Sequence, residues 1–255
     1  MSKELWVIRH SYKLSYEPEK WKKHPRYKEN PFDEPLTDFG MALATEAGAN
    51  LIKKSKDLKA GKITYIYCSP FTRCIQTAIQ IIKEVKKVLK LDLKIIVVYG
   101  LGESIIKRPT ISFQGSKIKP INPVSVSHRG SKKKWKSILD KKMSPANLKK
   151  RFKGYVTGVI AKPYGIETWR EESERMFKAI KAVGDQKSSG IILGHTHTID
   201  LAYNYYSGKT PVPSYTFGGS KDVCVTVGFE KKSKKWKMSH KPKIPSLKKK
   251  TTGRS

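Results

Sequence analysis

Apolar residues along this chain fall in short dense runs, and the runs keep two different rhythms. Leu5 to Ile8, Ile63 to Tyr67, Ile95 to Tyr99 and Gly190 to Leu193 are unbroken and of strand length. Between them the spacing turns helical. Phe39, Leu43, Ala47 and Leu51 recur every fourth residue behind Thr37, a good N-cap. Ile75, Ala78, Ile79, Ile82, Val85 and Leu89 form one helical face after Cys68, Ser69 and Pro70. Thr168 and Glu171 have capping-box spacing and open a helix with Trp169, Met176, Phe177 and Ile180 inward. A further helix is expected from Thr198, and a hairpin from Val223 to Phe229 and Lys235 to Ser239, turning at Lys232 and Ser233.

Strands alternating with helices predict an α/β fold whose mainly parallel central sheet carries helices on both faces. The segment from Ser11 to about Pro35 is polar, rich in aromatics, and expected to be a loop. From about 105 to 165 the periodicity weakens, and Lys117 to Lys153 holds thirteen basic residues against only Asp140. This stretch is expected to be a basic insertion with one short helix after Ser144. No repeat is present, so residues 1–240 are expected to form one domain, and 241–255 a loose basic tail.

Composition changes the picture in one respect. With 53 Lys and Arg against 21 Asp and Glu, the net charge is +32. Such an excess attracts anions, whether phosphorylated substrates, nucleic acid or an acidic lipid face, although lysines also gather on solvated surfaces without a partner. Cys68, Cys74 and Cys224 are too few for a disulfide scaffold. The apolar run at the start is too short for a signal-peptide core, and no stretch approaches the ~20 apolar residues that span a bilayer. The expectation is a soluble protein of a reducing compartment, cytoplasmic, with nuclear import through the basic clusters left open. Oligomeric state, including a homodimer, is also left open.

The candidate chemistry lies at the strand ends. Arg9 and His10 follow the first strand, Arg73 opens the helix after the second, Glu103 lies beyond the third and His195 beyond the fourth. In parallel sheets, ligands bind at this carboxyl edge. A neutral imidazole can attack phosphorus and hold the phosphoryl group covalently. Fixed cationic donors then stabilise the charge on the three equatorial oxygens. Arg9 and Arg73 can grip oxygens bidentately, a protonated His195 can donate to another, and Glu103 can serve as proton donor and acceptor. This chemistry requires no metal and no cofactor.

Five segments in order, Val7-Ile8-Arg9-His10, Glu34-Pro35-Leu36-Thr37-x-x-Gly40, Cys68-Ser69-Pro70-Phe71-Thr72-Arg73-x-x-Gln76-Thr77-Ala78, Leu101-Gly102-Glu103 and Leu193-Gly194-His195, resemble the histidine phosphatase superfamily, also called the phosphoglycerate mutase-like family. The resemblance implies a three-layer fold and hydrolysis of phosphomonoesters. It also implies His10 as the phosphorylated residue, Arg9, Arg73 and His195 as phosphate pocket, and Glu103 as proton donor. Within the family, the long loop after Arg-His is most similar to the phosphatase domain of the suppressors of T-cell receptor signalling. Those proteins carry a basic residue three positions past the nucleophile, the place of Lys13, implying a further phosphate contact. Ser11 and Tyr12 depart from the family's usual glycine and acidic residue, and Thr196 from the aspartate of its acid-phosphatase branch.

Rival readings use the same residues. Cys68 and Arg73 suggest a cysteine phosphatase, but four residues separate them where that loop needs five. Gly194-His195-x-His197 is similar to one ligand block of calcineurin-like metallophosphoesterases, whose Asp-x-His and Gly-Asn-His blocks are absent. Lys132, Lys133, Lys134, Trp135 and Lys136, or Lys231 to Lys237 with Trp236, mix charge with aromatics as polyanion binders do. The alternative function is therefore a non-catalytic protein that binds nucleic acid or acidic lipid through its basic insertion and tail.

Overall fold

The computed structural model describes residues 2–103, 143–160, 167–211, 222–233 and 235–245. Its core is a seven-stranded sheet: β1 (Lys3–Arg9), β2 (Tyr65–Cys68), β3 (Lys94–Val98), β4 (Val156–Ile160), β5 (Gly190–Gly194), β6 (Thr226–Lys232) and β7 (Lys235–Lys243). The spatial order is β4-β3-β2-β5-β1-β6-β7. The first five strands in that order are parallel, β6 runs antiparallel to β1, and β7 antiparallel to β6.

Period-two alternation gives each face of the sheet its own core. Trp6, Ile8, Ile66, Cys68, Ile95, Val97, Ile191 and Leu193 point to one side, against α3 (Asp38–Lys54), the short α4 (Lys56–Lys59) that follows it, and α5 (Thr72–Leu89). Leu5, Val7, Tyr67, Val98 and Ile192 point to the other, against α7 (Trp169–Gly184) and α8 (Thr196–Tyr206). The arrangement is three-layered, as expected for the alternating pattern. Among the described residues no helix is long and apolar enough to cross a membrane.

The helix starts follow their capping chemistry. Thr37 Oγ1 accepts from the Gly40 amide at 3.0 Å, and the Thr168–Glu171 capping box is complete. Gly40 is required by a close approach: a Cβ there would overlap the Tyr12 carbonyl oxygen and lie 3.0 Å from its carbon. The first turn of α3 thus rests directly on the chain leaving His10.

Several elements differ from the sequence pattern. The loop after Ser11 contains a 3-10 turn, Leu14–Tyr16, and two short helices, α1 (Pro18–Lys23) and α2 (Pro25–Glu29), each opened by proline at its first position. The basic stretch supplies α6 (Pro145–Arg151), the expected helix after Ser144, and also β4, which adds to the sheet beside β3. Gly158 interrupts that strand's apolar run, where it pairs with Ile96 of β3. The rest of the insertion, 104–142 and 161–166, lies outside the described residues. β7 continues past Ser239 to Lys243, through the first residues assigned to the tail; 246–255 lie outside the described residues. Lysines at alternate positions conceal an edge strand from any hydrophobic count. Phe39 is 51 % exposed instead of facing the core.

Candidate active site

Four strand ends deliver the site. β1 and β2 flank β5, and their ladders extend one residue beyond each strand: His10 N donates to Gly194 O at 2.9 Å and Ser69 N to Leu193 O at 2.9 Å. That extension sets His10 and Ser69 on either side of His195, the N-cap of α8. The His10 and His195 rings lie 5.4 Å apart, edge to face, and both are buried.

Arg73 sits in the first turn of α5, buried and stacked over Phe71 at 4.4 Å. Its Nη2 donates to Glu103 Oε2 at 2.7 Å and to His195 Nδ1 at 3.3 Å. Glu103 Oε2 is also 3.6 Å from that Nδ1. Arg9 Nη2 donates to the Tyr16 hydroxyl at 2.8 Å, and Lys13 Nζ lies 2.5 Å from Glu34 Oε1. The structure therefore brings His10, Arg73, Glu103 and His195 together, with the charges of Arg9 and Lys13 close enough to act on His10.

Hydrogen-bond logic assigns the tautomers. His10 Nδ1 is 2.8 Å from the Ser11 carbonyl, which can only accept, so Nδ1 carries the proton and Nε2 keeps its lone pair. Burial, then Arg73, Arg9, His195 and Lys13, hold its pKa well below the ordinary histidine value. His195 is the reverse tautomer. Arginine can only donate, so Nδ1 accepts from Arg73 and Nε2–H points to Ser69 Oγ at 2.8 Å. Burial lowers its pKa strongly, Glu103 opposes, and Arg73 adds to the lowering. In this state burial first, with Arg73 beside Nδ1, works against the protonated His195 expected from the sequence, although Glu103 favours it.

Ser11 fits the turn where a glycine was expected. Its φ is not among the positive values, its amide donates to Thr77 Oγ1 at 3.0 Å, and its hydroxyl donates to the Gly40 carbonyl at 2.6 Å.

Sequence reasoning missed Glu34, Ser69 and Asp33. Glu34 is buried between Lys13 and Arg73, 3.4 Å from Arg73 Nη1. Burial pushes its carboxyl up, but the two cations outweigh that and leave it below the usual range. Asp33 accepts from the Thr72 amide at 2.5 Å and from its hydroxyl. It caps α5 from a distance because Phe71, at the N-cap position, has no side-chain acceptor. Glu34 and Ser69 stood within the motif segments, so only their partners were invisible.

The rival nucleophile does not hold. Cys68 and Cys74 are fully buried, and burial raises both thiols, Cys74 to about 12 and Cys68 well above its ordinary value, so neither supplies a thiolate. His197 lies 3.6 Å from Glu172 and against Trp169, and the described residues contain no cluster of three or more His, Cys, Asp or Glu able to hold a metal. The aromatic loop divides in two. Trp21 packs with His24 and Tyr27, and Phe32 against the core, whereas Tyr12 and Tyr16 stack beside Arg9, with Phe39 of α3 against Tyr12.

No protein-family model and no curated protein matches this sequence. Solved structures do match. The ecdysone phosphate phosphatase of Bombyx mori superposes with a TM-score of 0.63 at 18 % identity, covering 99 % of this chain and 97 % of that one. The fold is phosphoglycerate mutase-like. An Escherichia coli K-12 structure described as a putative alpha-ribazole-5'-P phosphatase gives 0.52 at 13 % identity, covering 96 % of this chain and all of its own. Mycobacterial hydrolase 2 gives 0.51 at 13 %, covering 97 % and 94 %. At these identities it is the phosphoglycerate mutase-like architecture that is shared, and the chemistry rests on the side chains described above.

Proposed function

We propose that this chain is a metal-independent phosphomonoester hydrolase of the histidine phosphatase superfamily, working through a phosphohistidine on His10. The observation that carries the reading is the His10 tautomer: with Nδ1–H engaged by Ser11 O, the Nε2 lone pair is the one left for attack. In the first step Nε2 bonds to phosphorus as the bond to the ester oxygen breaks, and Glu103 gives that oxygen its proton. In the second step Glu103 takes a proton from water, the water oxygen attacks phosphorus, and the P–N bond breaks. Arg9, Arg73 and Lys13 hold the phosphoryl oxygens, joined by His195 once the arriving phosphate protonates its Nδ1. Arg73 Nε is buried with no hydrogen-bond partner among the described residues, a donor available to such an oxygen. Occupation requires Glu103 to leave Arg73 Nη2, which frees the carboxyl for proton transfer as the phosphate arrives. The tungstate held by the Bombyx mori phosphatase is a tetrahedral oxyanion of the kind this pocket would take. Phe39, half-exposed beside Tyr12, suits an ester whose alcohol is flat and apolar.

The test is a panel of phosphomonoesters with aryl, sterol, sugar and amino-acid leaving groups. Hydrolysis should survive excess chelator, and Glu103→Gln should slow poor leaving groups by about 10²–10⁴ while sparing phosphoenzyme formation from activated aryl phosphates. Loss of activity with chelator, restored by a divalent ion, would sink the reading.

We also propose that the lysine-rich sheet edge contacts a polyanion alongside catalysis. β7, the outermost strand on that side, carries Lys235, Lys237, Lys241 and Lys243, and Lys243 adds to the burial that lowers the pKa of Lys54 on α3. Binding to single-stranded nucleic acid or to acidic vesicles should weaken steeply with salt. A flat salt dependence, or no binding near 0.15 M salt, returns these lysines to a solvated surface.

A further inference from the structure

We infer that Arg175 is a positioning residue for Glu103, fixing from α7 the turn that delivers the acid. The inference rests on the proton-donor role proposed above.

After β3 the chain makes a 3-10 turn, Tyr99–Leu101, before reaching Glu103. That turn is short: Gly102 N closes it on Tyr99 O at 2.9 Å, and a single such bond leaves the carbonyls that follow beyond the turn's own ladder. Arg175, in the second turn of α7, reaches across to this segment. Its Nη1 donates to Gly100 O at 2.8 Å and to Tyr99 O at 3.4 Å. The other side of the guanidinium is gripped by Glu167, with Nε at 2.8 and 3.1 Å from the two carboxylate oxygens and Nη2 at 2.6 Å from Oε2. Both partners are largely buried, so the fork is held in one orientation.

One helical turn beyond Arg175, Ala179 completes the seat. A Cβ on Gly100 would come within 2.8 Å of the Ala179 Cβ, so the turn is pressed onto α7 as closely as glycine permits. Leu101 is fully buried on the same side. Three contacts thus pin the backbone just ahead of Glu103, whose own side chain remains 28 % exposed. This division suits an acid that must swing from Arg73 to a leaving oxygen: the side chain moves while its backbone does not. Arg175 is neutralised by Glu167, so it acts through placement and not through its field at phosphorus.

Lysine at 175 keeps the charge but loses the fork, and cannot hold Gly100 O, Tyr99 O and Glu167 together. The experiment measures the single-turnover rate of phosphoenzyme formation across esters of rising leaving-group pKa. Arg175→Lys should slow poor leaving groups roughly tenfold to a hundredfold, with less than about threefold change on an activated aryl phosphate. In a Glu103→Gln background it should cost nothing further, because the two residues serve one step. Equal losses on all leaving groups, or full additivity with Glu103→Gln, would overturn the inference while leaving the phosphohistidine mechanism intact. Glu167→Gln, which loosens the same fork from its far side, should repeat the pattern more weakly, and a thermal midpoint on each variant separates misfolding from misplacement. If the wild type forms no phosphohistidine, the underlying reading fails and this inference with it.

Discussion

Alanine at position 10 is expected to abolish histidine-bound phosphate and to lower turnover by a factor on the order of 10³–10⁶, the range seen when a covalent nucleophile is removed. No other described group can replace it. Cys68 and Cys74 are held as thiols, and His195 Nε2 carries the proton it donates to Ser69. The variant should still fold, because the contacts that place residue 10 are main-chain: its amide to Gly194 O and its carbonyl accepting from Cys224 N. The side chain contributes one bond, to Ser11 O. Rapid-quench labelling with an activated phosphate ester should give acid-labile, base-stable phosphate on the wild type and none on His10→Ala. Phosphate or vanadate should still bind, since Arg9, Arg73 and Lys13 remain. Wild-type turnover by His10→Ala on any good substrate would end the covalent account.

The second large effect is on stability in mild acid. His10 and His195 both have folded-state pKa values well below the ordinary histidine value, burial being the largest cause in each. Near pH 6.5 and below, the unfolded chain therefore binds protons that the folded chain refuses. Stability is complete above about pH 6.5 and falls as pH drops through it, by up to about 1.4 kcal/mol per pH unit for each histidine. Two histidines give a slope of up to about 2.8 kcal/mol per unit, large beside a total of about 5–15 kcal/mol. Glu34 acts in a lower window, since its depressed carboxyl loses stability only as pH falls below the ordinary glutamate range. Denaturant titrations between pH 8 and 5 should show the slope, and His10→Ala or His195→Gln should each remove about half of it. A flat profile would mean that neither histidine is held neutral. Inorganic phosphate should restore acid stability, because an anion beside His195 favours its protonated form. Calorimetry in buffers of different ionisation enthalpy should then record proton uptake on phosphate binding.

Much of this was legible in the chain itself. Apolar runs of strand length and helical spacing located β1, β2, β3 and β5, and the helices between them, within a few residues. They did so because a side chain's burial depends on local period: two for a strand, 3.6 for a helix. Once the strands are parallel, the residues that follow them share one edge, and Arg9, His10, Arg73, Glu103 and His195 could be grouped before any coordinate was known. The motif segments carried the same information in family form. Elements whose stability is not local escaped. β4 and the far half of β7 are strands because β3 and β6 offer them hydrogen bonds, not because their own residues demand it.

The sequence alone thus determined which candidate residues follow the strands and that they share the carboxyl edge of a parallel sheet. Tertiary structure decided their states. Ser69 and His195 are 126 positions apart, Arg73 and His195 122, and Lys13 and Glu34 21. Which histidine nitrogen holds a proton, whether Glu103 rests on Arg73, and that Glu34 is buried between two cations all depend on those long-range encounters. A pKa or a tautomer is a property of the neighbours within a few ångströms, and periodicity along the chain says which face a residue takes, not which atoms it will find there.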